Sequence, residues 1–375
     1  MTKKGVPEVP LACPSLTEKE RRAVRKVLGG TSLSGGPNLL EFEGRFREFT
    51  GVSHAVATSS GTAALHLALL SSGVGPGDDV ITSSFSFIAA GNAIVQTGAR
   101  PVFADIDPQT WCVDANSVAA RITRRTKAIV AVHPFGNPCD MEALQNVTLG
   151  WGLPLIEDAC EALGGRYRGK AVGSIGEAGV FAFYPNKQIT TGEGGMLVTS
   201  SERLAAEARS LRSQGRSEGG SQEFGRFGFS YRMDEMSAAL GAAQMSRIED
   251  ILRKRKALAD SYHTGLAKIA KVRMQKPTAG TEPSWMNIAV LLDESIDRDR
   301  VIESLGAKGV ASRPYFPAIH LQKPYRETYS QGKGSLPITE DVSRRSLALP
   351  FFTEMTKAQV NQVVRALSES ISTQP

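Results

Sequence analysis

HAVATSSGTAALHLALL, residues 54–70, holds three signals in one stretch. A short β-prone run, HAVAT, ends in Ser-Ser-Gly-Thr, and an apolar helical pattern begins at Thr62. A strand that breaks on small residues and passes straight into a helix is the first half of a βαβ unit. The figure recurs downstream. Strand candidates begin at Asp79 (DVITSS), Pro101 (PVFADI), Lys127 (KAIVAVHPFG), Pro154 (PLIEDAC), Gly179 (GVFAFYP) and Gly195 (GMLVTS). Helical patterns at residues 62–70, 88–96, 116–124 and 141–149 separate the earlier ones. This predicts an α/β fold with a mixed, mostly parallel sheet and helices on both faces. Only a Gly-rich loop separates the last two strands, so part of the sheet can run antiparallel.

Past residue 200 the texture changes to longer, charged helical patterns. Residues 201–213 form one, and 233–258 form another, long enough to bridge two domains. A βαβ-like pattern follows, with NIAVLL from Asn287, a helix near 298–308 and a closing helix over 357–370. A chain of 375 residues exceeds one simple core. The expected division is a large domain over 1–249 and a smaller C-terminal α/β domain over 250–375. Residues 212–227, rich in Gly, Ser and Arg, read as a mobile loop. No internal repeat is visible.

Composition narrows the class. Charged residues make up 22% and the net charge is +6, with both signs interspersed. The densest basic run, residues 253–256, follows Glu249 and Asp250 on a predicted helix, so it reads as a solvated face rather than a nucleic-acid patch. Cys13, Cys112, Cys139 and Cys160 show no CxxC pair or metal-ligand spacing, which suits buried free thiols in a reducing cytoplasm. No window approaches the roughly 18 apolar residues of a membrane helix. A cytoplasmic protein with no membrane or nucleic-acid partner and no metal is expected.

FAFYPNKQITTGEGGMLVT, residues 181–199, carries the most chemistry. Lys187 follows a strand end and precedes glycine-rich backbone. A lysine that forms an imine must be held rigidly and kept partly desolvated, because only the neutral amine is nucleophilic. Alone, Lys187 also reads as a surface lysine beside a turn. Asp158, in LPLIEDACEALGG, stands at the carboxyl end of an apolar strand, where α/β folds bind ligands. It could pair with a protonated pyridine nitrogen or cap the next helix. Ser60, Gly61 and Thr62 sit where free amides and a helix dipole face an anion, or else form an ordinary capped helix start. Phe87, in SSFSFIAAGNAI, could stack on a flat heterocycle or fill core.

Together these segments resemble the sugar aminotransferases of the DegT/DnrJ/EryC1/StrS family, of fold type I. The resemblance runs through PSLTEKE, SSGTAALHLAL, HPFGNPCDM, EDACEALGG, NKQITTGEGGM, FSYRMDEMSAALGAAQ, SWM and RPYFPAIHLQKPY. The EALG and TTGEGGM forms look most like the branch that aminates 4-keto-6-deoxy nucleotide sugars, perosamine synthases among them. It implies pyridoxal 5'-phosphate bound as a Schiff base on Lys187, which then moves the proton at the substrate carbon. Asp158 would hold the pyridine nitrogen, Ser60, Gly61 and Thr62 the phosphate, and Phe87 a ring face. Glu161 would lie near the phenolic oxygen, where a carboxylate must be protonated or paired. Arg232, Trp285 and His320 would lie near the substrate. Glutamate as amino donor, a keto-sugar as acceptor and a homodimer are implied as well.

Two departures bear on the phosphate. Relatives usually carry Ser where Ala182 stands, and often Asn, donated across the dimer, where Ser230 stands. Weaker cofactor retention is expected, with Ser230 recovering part of the loss. Among rivals, GGRYRGKA (164–171) nearly spells a P-loop, but Ala171 replaces the magnesium-binding hydroxyl and the segment reads as a hairpin. Sugar-dehydrating relatives carry His in place of the lysine. A cyclitol ketone acceptor, or a non-catalytic regulatory homologue, would keep the fold.

Overall fold

The computed structural model describes residues 9–217, 223–329 and 331–373. Helices α1 (Glu18–Leu28) and α2 (Pro37–Thr50) precede strand β1 (His54–Thr58). Then come α3 (Gly61–Ser71), β2 (Asp79–Ser83), α4 (Ala89–Gln96), β3 (Arg100–Ala104), α5 (Ala115–Ala119), β4 (Thr126–Val132), α6 (Met141–Leu149) and β5 (Leu155–Asp158). A small hairpin, β6 (Arg166–Tyr167) and β7 (Lys170–Ala171), leads into β8 (Ala178–Ala182) and β9 (Gly195–Thr199). The P-loop-like segment is therefore the hairpin its pattern indicated.

Seven of these strands form one sheet in the order β1-β9-β8-β5-β4-β2-β3. All neighbouring pairs are parallel except those made by β9, which alone runs against the rest. The central strands β2 and β5 are buried along their whole length, as strands covered on both faces must be. Helix α3 is buried nearly all round and packs on β8 and β9. Its apolar residues follow no single stripe, the mark of a helix with no solvent face.

Two helical expectations change. The expected 116–124 helix is only α5, because after Ala119 the chain tightens and Thr126 Oγ takes the Thr123 amide at 2.9 Å. The single helix expected over 233–258 is two, α8 (Glu235–Met245) and α9 (Ile248–Leu266), preceded by α7 (Glu202–Arg212). At the break Arg247 leaves helical geometry (φ −122°), and Glu20 holds its guanidinium at 2.6 Å. A buried carboxylate thus fixes a corner where the apolar pattern alone runs on. Residues 218–222 of the expected mobile loop lie outside the described residues; its flanks form bridges from Ser213 to Ser230 and Arg216 to Phe224.

The remaining chain supplies β10 (Val272–Met274), β11 (Thr281–Glu282), β12 (Ile288–Leu292), α10 (Arg298–Ala307), β13 (Arg313–Pro314), α11 (Lys323–Thr328), α12 (Pro337–Arg345), β14 (Ser346–Leu349) and α13 (Lys357–Ser372). The second sheet has the order β10-β12-β14-β13, with every pairing antiparallel. Strands β12 and β13 both oppose β14, so they run parallel to each other with α10 between them in sequence. The βαβ expected there exists, split by an inserted strand. Val9 bridges Val310 and is buried in this second core, although it comes from the opposite end of the chain. No helix among the described residues is long and apolar enough to cross a membrane.

Candidate active site

One cavity of about 340 Å³ opens at the carboxyl ends of β2, β5 and β8. Open α/β sheets bind ligands at such an edge because the loops there diverge. Asp158 is the last residue of β5; one of its oxygens accepts the Cys160 amide at 3.1 Å, and its side chain borders the cavity. Ser60 caps α3 by accepting the Ala63 amide at 3.1 Å. Gly61 and Thr62, whose amides belong to the first turn of a helix and so have no partner within it, line the cavity. Gly61 has a steric reason: a Cβ there would lie 2.5 Å from the Cβ of Ala182. Helix α3 can press its first turn against β8 only with glycine.

Lys187 lies in the turn after β8, with its amide bonded to the Tyr184 carbonyl at 2.9 Å. Its Nζ reaches Glu161 Oε1 at 3.2 Å, and both side chains are largely buried. Glu161 Oε2 accepts the Phe135 amide at 2.8 Å. Burial is the largest single influence and opposes the charged amine, but the Glu161 carboxylate, Cys160 and Tyr315 together outweigh it. Lys187 is therefore held above the ordinary lysine value. The lysine is shielded from water, as expected, but by a pocket that contains its own counter-ion. It also answers how a carboxylate at position 161 is tolerated: it is paired.

Around this core stand Ser86, Phe87, Cys160, Ala182, Tyr184, Asn186, Glu193, Tyr315 and Phe316. Phe87 is 61% exposed at the cavity, while the core position falls to Phe85, which is fully buried. Burial first, and then the charge of Asp158, push the Cys160 thiol far up, so it is no nucleophile. Burial also raises the Tyr315 phenol, with Glu161 adding to it. Buried Asn186 Oδ1 has no hydrogen-bond partner among the described residues.

The structure thus brings Ser60, Gly61, Thr62, Phe87, Asp158, Glu161 and Lys187 to one cavity. Four expected residues do not line it. His320 is buried between Ser84 Oγ (2.7 Å) and Glu340 Oε1 (3.2 Å), and burial lowers its pKa. With both ring nitrogens engaged, it braces the Ser84 segment. Trp285 lines a different cleft, of about 490 Å³, with Arg253 and His263. Ser230 and Arg232 are exposed and bond to each other at 3.2 Å outside the cavity. Of the cysteines expected to be buried, Cys13 is exposed.

Tyr315 and Phe316 belong to the RPYF segment, and Asn186 and Glu193 to NKQITTGEGGM. The motif boundaries held the signal; which side chains turn inward was not readable from them.

The pattern of the DegT/DnrJ/EryC1/StrS aminotransferase family matches residues 14–368. The chain is 40% identical over 370 residues to the GDP-perosamine synthase of Caulobacter vibrioides, covering 97% of this chain and 98% of that one. Among solved structures, the aminotransferase TlmJ from Streptoalloteichus hindustanus superposes with a TM-score of 0.92 at 34% identity, covering 98% of this chain and 99% of that one. The PLP form of Spr1654 from Streptococcus pneumoniae superposes with a TM-score of 0.92 at 25% identity, covering 98% and 99% of the two chains.

Proposed function

The chain belongs to the DegT/DnrJ/EryC1/StrS aminotransferase family, and from that premise we propose that it moves an amino group from glutamate to a nucleotide-linked 4-keto-6-deoxy sugar. It is a PLP-dependent aminotransferase. One observation carries the assignment of residues: a buried amine, a carboxylate and a helix N-terminus all open on one cavity. Pyridoxal 5'-phosphate fits that donor set. Lys187 Nζ can anchor its aldehyde carbon, Asp158 can pair with its ring nitrogen, and the amides of Gly61 and Thr62 can take its phosphate. When bound, the cofactor supplies stabilisation of negative charge on the substrate carbon.

The protein's own part is placement and proton movement. Lys187 holds the cofactor and then carries the proton at the substrate carbon. Glu161 keeps that amine charged until it is needed, and Phe87 covers one face of the ring. Asn186 Oδ1 offers an unused acceptor at the cavity wall. Ser230 and Arg232, exposed on their own subunit, serve the cavity of a second copy in a homodimer. We place the reaction in the cytoplasm, where nucleotide sugars are made. Retention of Lys187 speaks against the dehydrating relatives, which lack that amine.

The test is spectroscopic and chemical. With added pyridoxal phosphate, purified protein should turn yellow, and borohydride should leave a mass adduct on the peptide containing Lys187. A colourless protein with no adduct would overturn the reading. A panel of nucleotide-linked keto-sugars, offered to the pyridoxamine form, should then return the aldehyde absorbance for one class of acceptor.

A further inference from the structure

The basic run 253–256 reads as solvated in the sequence, and Arg253 and Lys256 are exposed. Arg255 is not: it is 2% exposed. Its Nε donates to the Trp285 carbonyl (3.1 Å), one terminal nitrogen to the Met286 carbonyl (2.7 Å) and the other to Thr353 Oγ (3.3 Å). The guanidinium carbon lies 4.6 Å from the centre of the Phe351 ring. No carboxylate pairs with it among the described residues. Burial alone pulls its pKa down to about 9. A buried cation without a counter-ion is costly, typically by several kcal/mol. What it holds is therefore informative.

It holds a strained turn. Trp285 has φ +35°, a region that bulky side chains avoid. The amides of that turn reach back to the large sheet's side of the molecule. Ser284 N–H donates to the Gly136 carbonyl (3.0 Å) and Met286 N–H to the Phe135 carbonyl (2.8 Å). Gly136 permits the approach, because a Cβ there would lie 2.7 Å from the Trp285 nitrogen. Phe135, itself at φ +58°, is the residue whose amide donates to Glu161 Oε2. A second path runs in parallel: Gln188 Nε2 bridges the Glu161 carbonyl (2.7 Å) and Ser284 Oγ (3.1 Å). Side chain and main chain of Glu161 thus both rest on residues 284–286.

We propose that Arg255 is a positioning residue of the active site: it clamps the Trp285–Met286 turn and, through Phe135 and Gln188, fixes Glu161 against the amine of Lys187. The proposal rests on the reading of Lys187 as the reacting amine. It assigns a part in proton control to a side chain of α9 that never touches the cavity. Cys160 and Tyr315 also act on the Lys187 amine, and Asp158, Tyr184 and Glu193 line the same cavity. Among the described residues, Glu161 is the one paired with it directly.

The test titrates Lys187 in the full-length, cofactor-free chain, following its acylation against pH by peptide mass spectrometry. Wild type, Glu161→Gln, Arg255→Met and the double variant are compared. Glu161→Gln should lower the labelling midpoint by about one pH unit or more, as loss of an opposite charge in contact does. Arg255→Met should move it the same way by about half a unit, and should add nothing in the Glu161→Gln background. An unchanged midpoint in Arg255→Met, even with a lower melting temperature, would reduce Arg255 to a structural staple. So would an equal shift with and without Glu161. If Arg255→Met does not fold, Arg255→Lys is read by the same two criteria, since ammonium cannot hold both carbonyls as a planar fork does. Absence of a borohydride adduct would sink the proposed function while leaving this comparison standing.

Discussion

The two ends of the Lys187 cavity are held in different ways. At the lysine end, Glu161, Phe135, Gln188 and Ser284 form a connected set of buried hydrogen bonds, with Arg255 behind it. At the α3 end, the first turn of a helix offers backbone amides, and Ala182 contributes a methyl group. Amides at a helix start need no particular side chain to face an anion. The orientation of a carboxylate against an amine does, because each rotamer must be pinned from outside. Position 182 therefore needs no side-chain donor for an anion to be faced, whereas the surroundings of Glu161 are over-determined. One end of the cavity thus offers backbone amides, and the other a side-chain ion pair.

The comparison can be broken first at Lys187. Lys187→Ala should abolish the borohydride adduct and lower turnover by at least about 10³-fold; steady-state rates and peptide mass measure both. Asp158→Asn should cost less, about 10²-fold in kcat, because it weakens charge stabilisation without removing the anchoring amine. At the other end, Ala182→Ser should tighten cofactor retention by one hydrogen bond to a charged group, about 1.5–3 kcal/mol. Equilibrium dialysis should show that as roughly tenfold or more in Kd. Ser230→Ala should loosen retention in the opposite direction and by less; unchanged retention would remove Ser230 from the phosphate end.

The smallest expected effect is one of pH on the cofactor-free chain. Lys187 is raised in the folded state, so its pairing stabilises fully below its unfolded value near 10.5 and is lost as pH rises through the higher folded value. Melting temperature should therefore fall more steeply on the alkaline side in wild type than in Glu161→Gln. Equal slopes would mean that the pair adds nothing to stability, and that the lysine end is ordered by its backbone after all.

Much of the architecture was legible because period and punctuation are local properties. The strand-to-helix passage at Ser59–Thr62 and the apolar runs of β2, β4 and β5 announce themselves, and six of the large sheet's strands share one direction as expected. The α8–α9 corner was not legible, since it is set by Glu20 reaching Arg247 from more than two hundred residues away. His320 and Trp285 stood in the right motifs but face elsewhere, because Ser84 and Glu340 claim the histidine and the turn at 284–286 aims the indole at another cleft. Arg255 was read as solvent-facing because a run of charges carries no mark of which member turns inward.

The sequence by itself determined the α/β order, the membership of Lys187, Asp158 and residues 60–62 in one site, and the family to which they belong. The first follows from residue type and spacing along the chain; the site and the family follow from motifs that resemble those of known sugar aminotransferases. The tertiary structure alone decided that Lys187 is a paired cation, that Glu161 is its partner, and that the clamp behind Glu161 comes from α9. Charge states and side-chain orientations depend on which groups meet across the fold and how much water is left between them, and neither is written in local sequence.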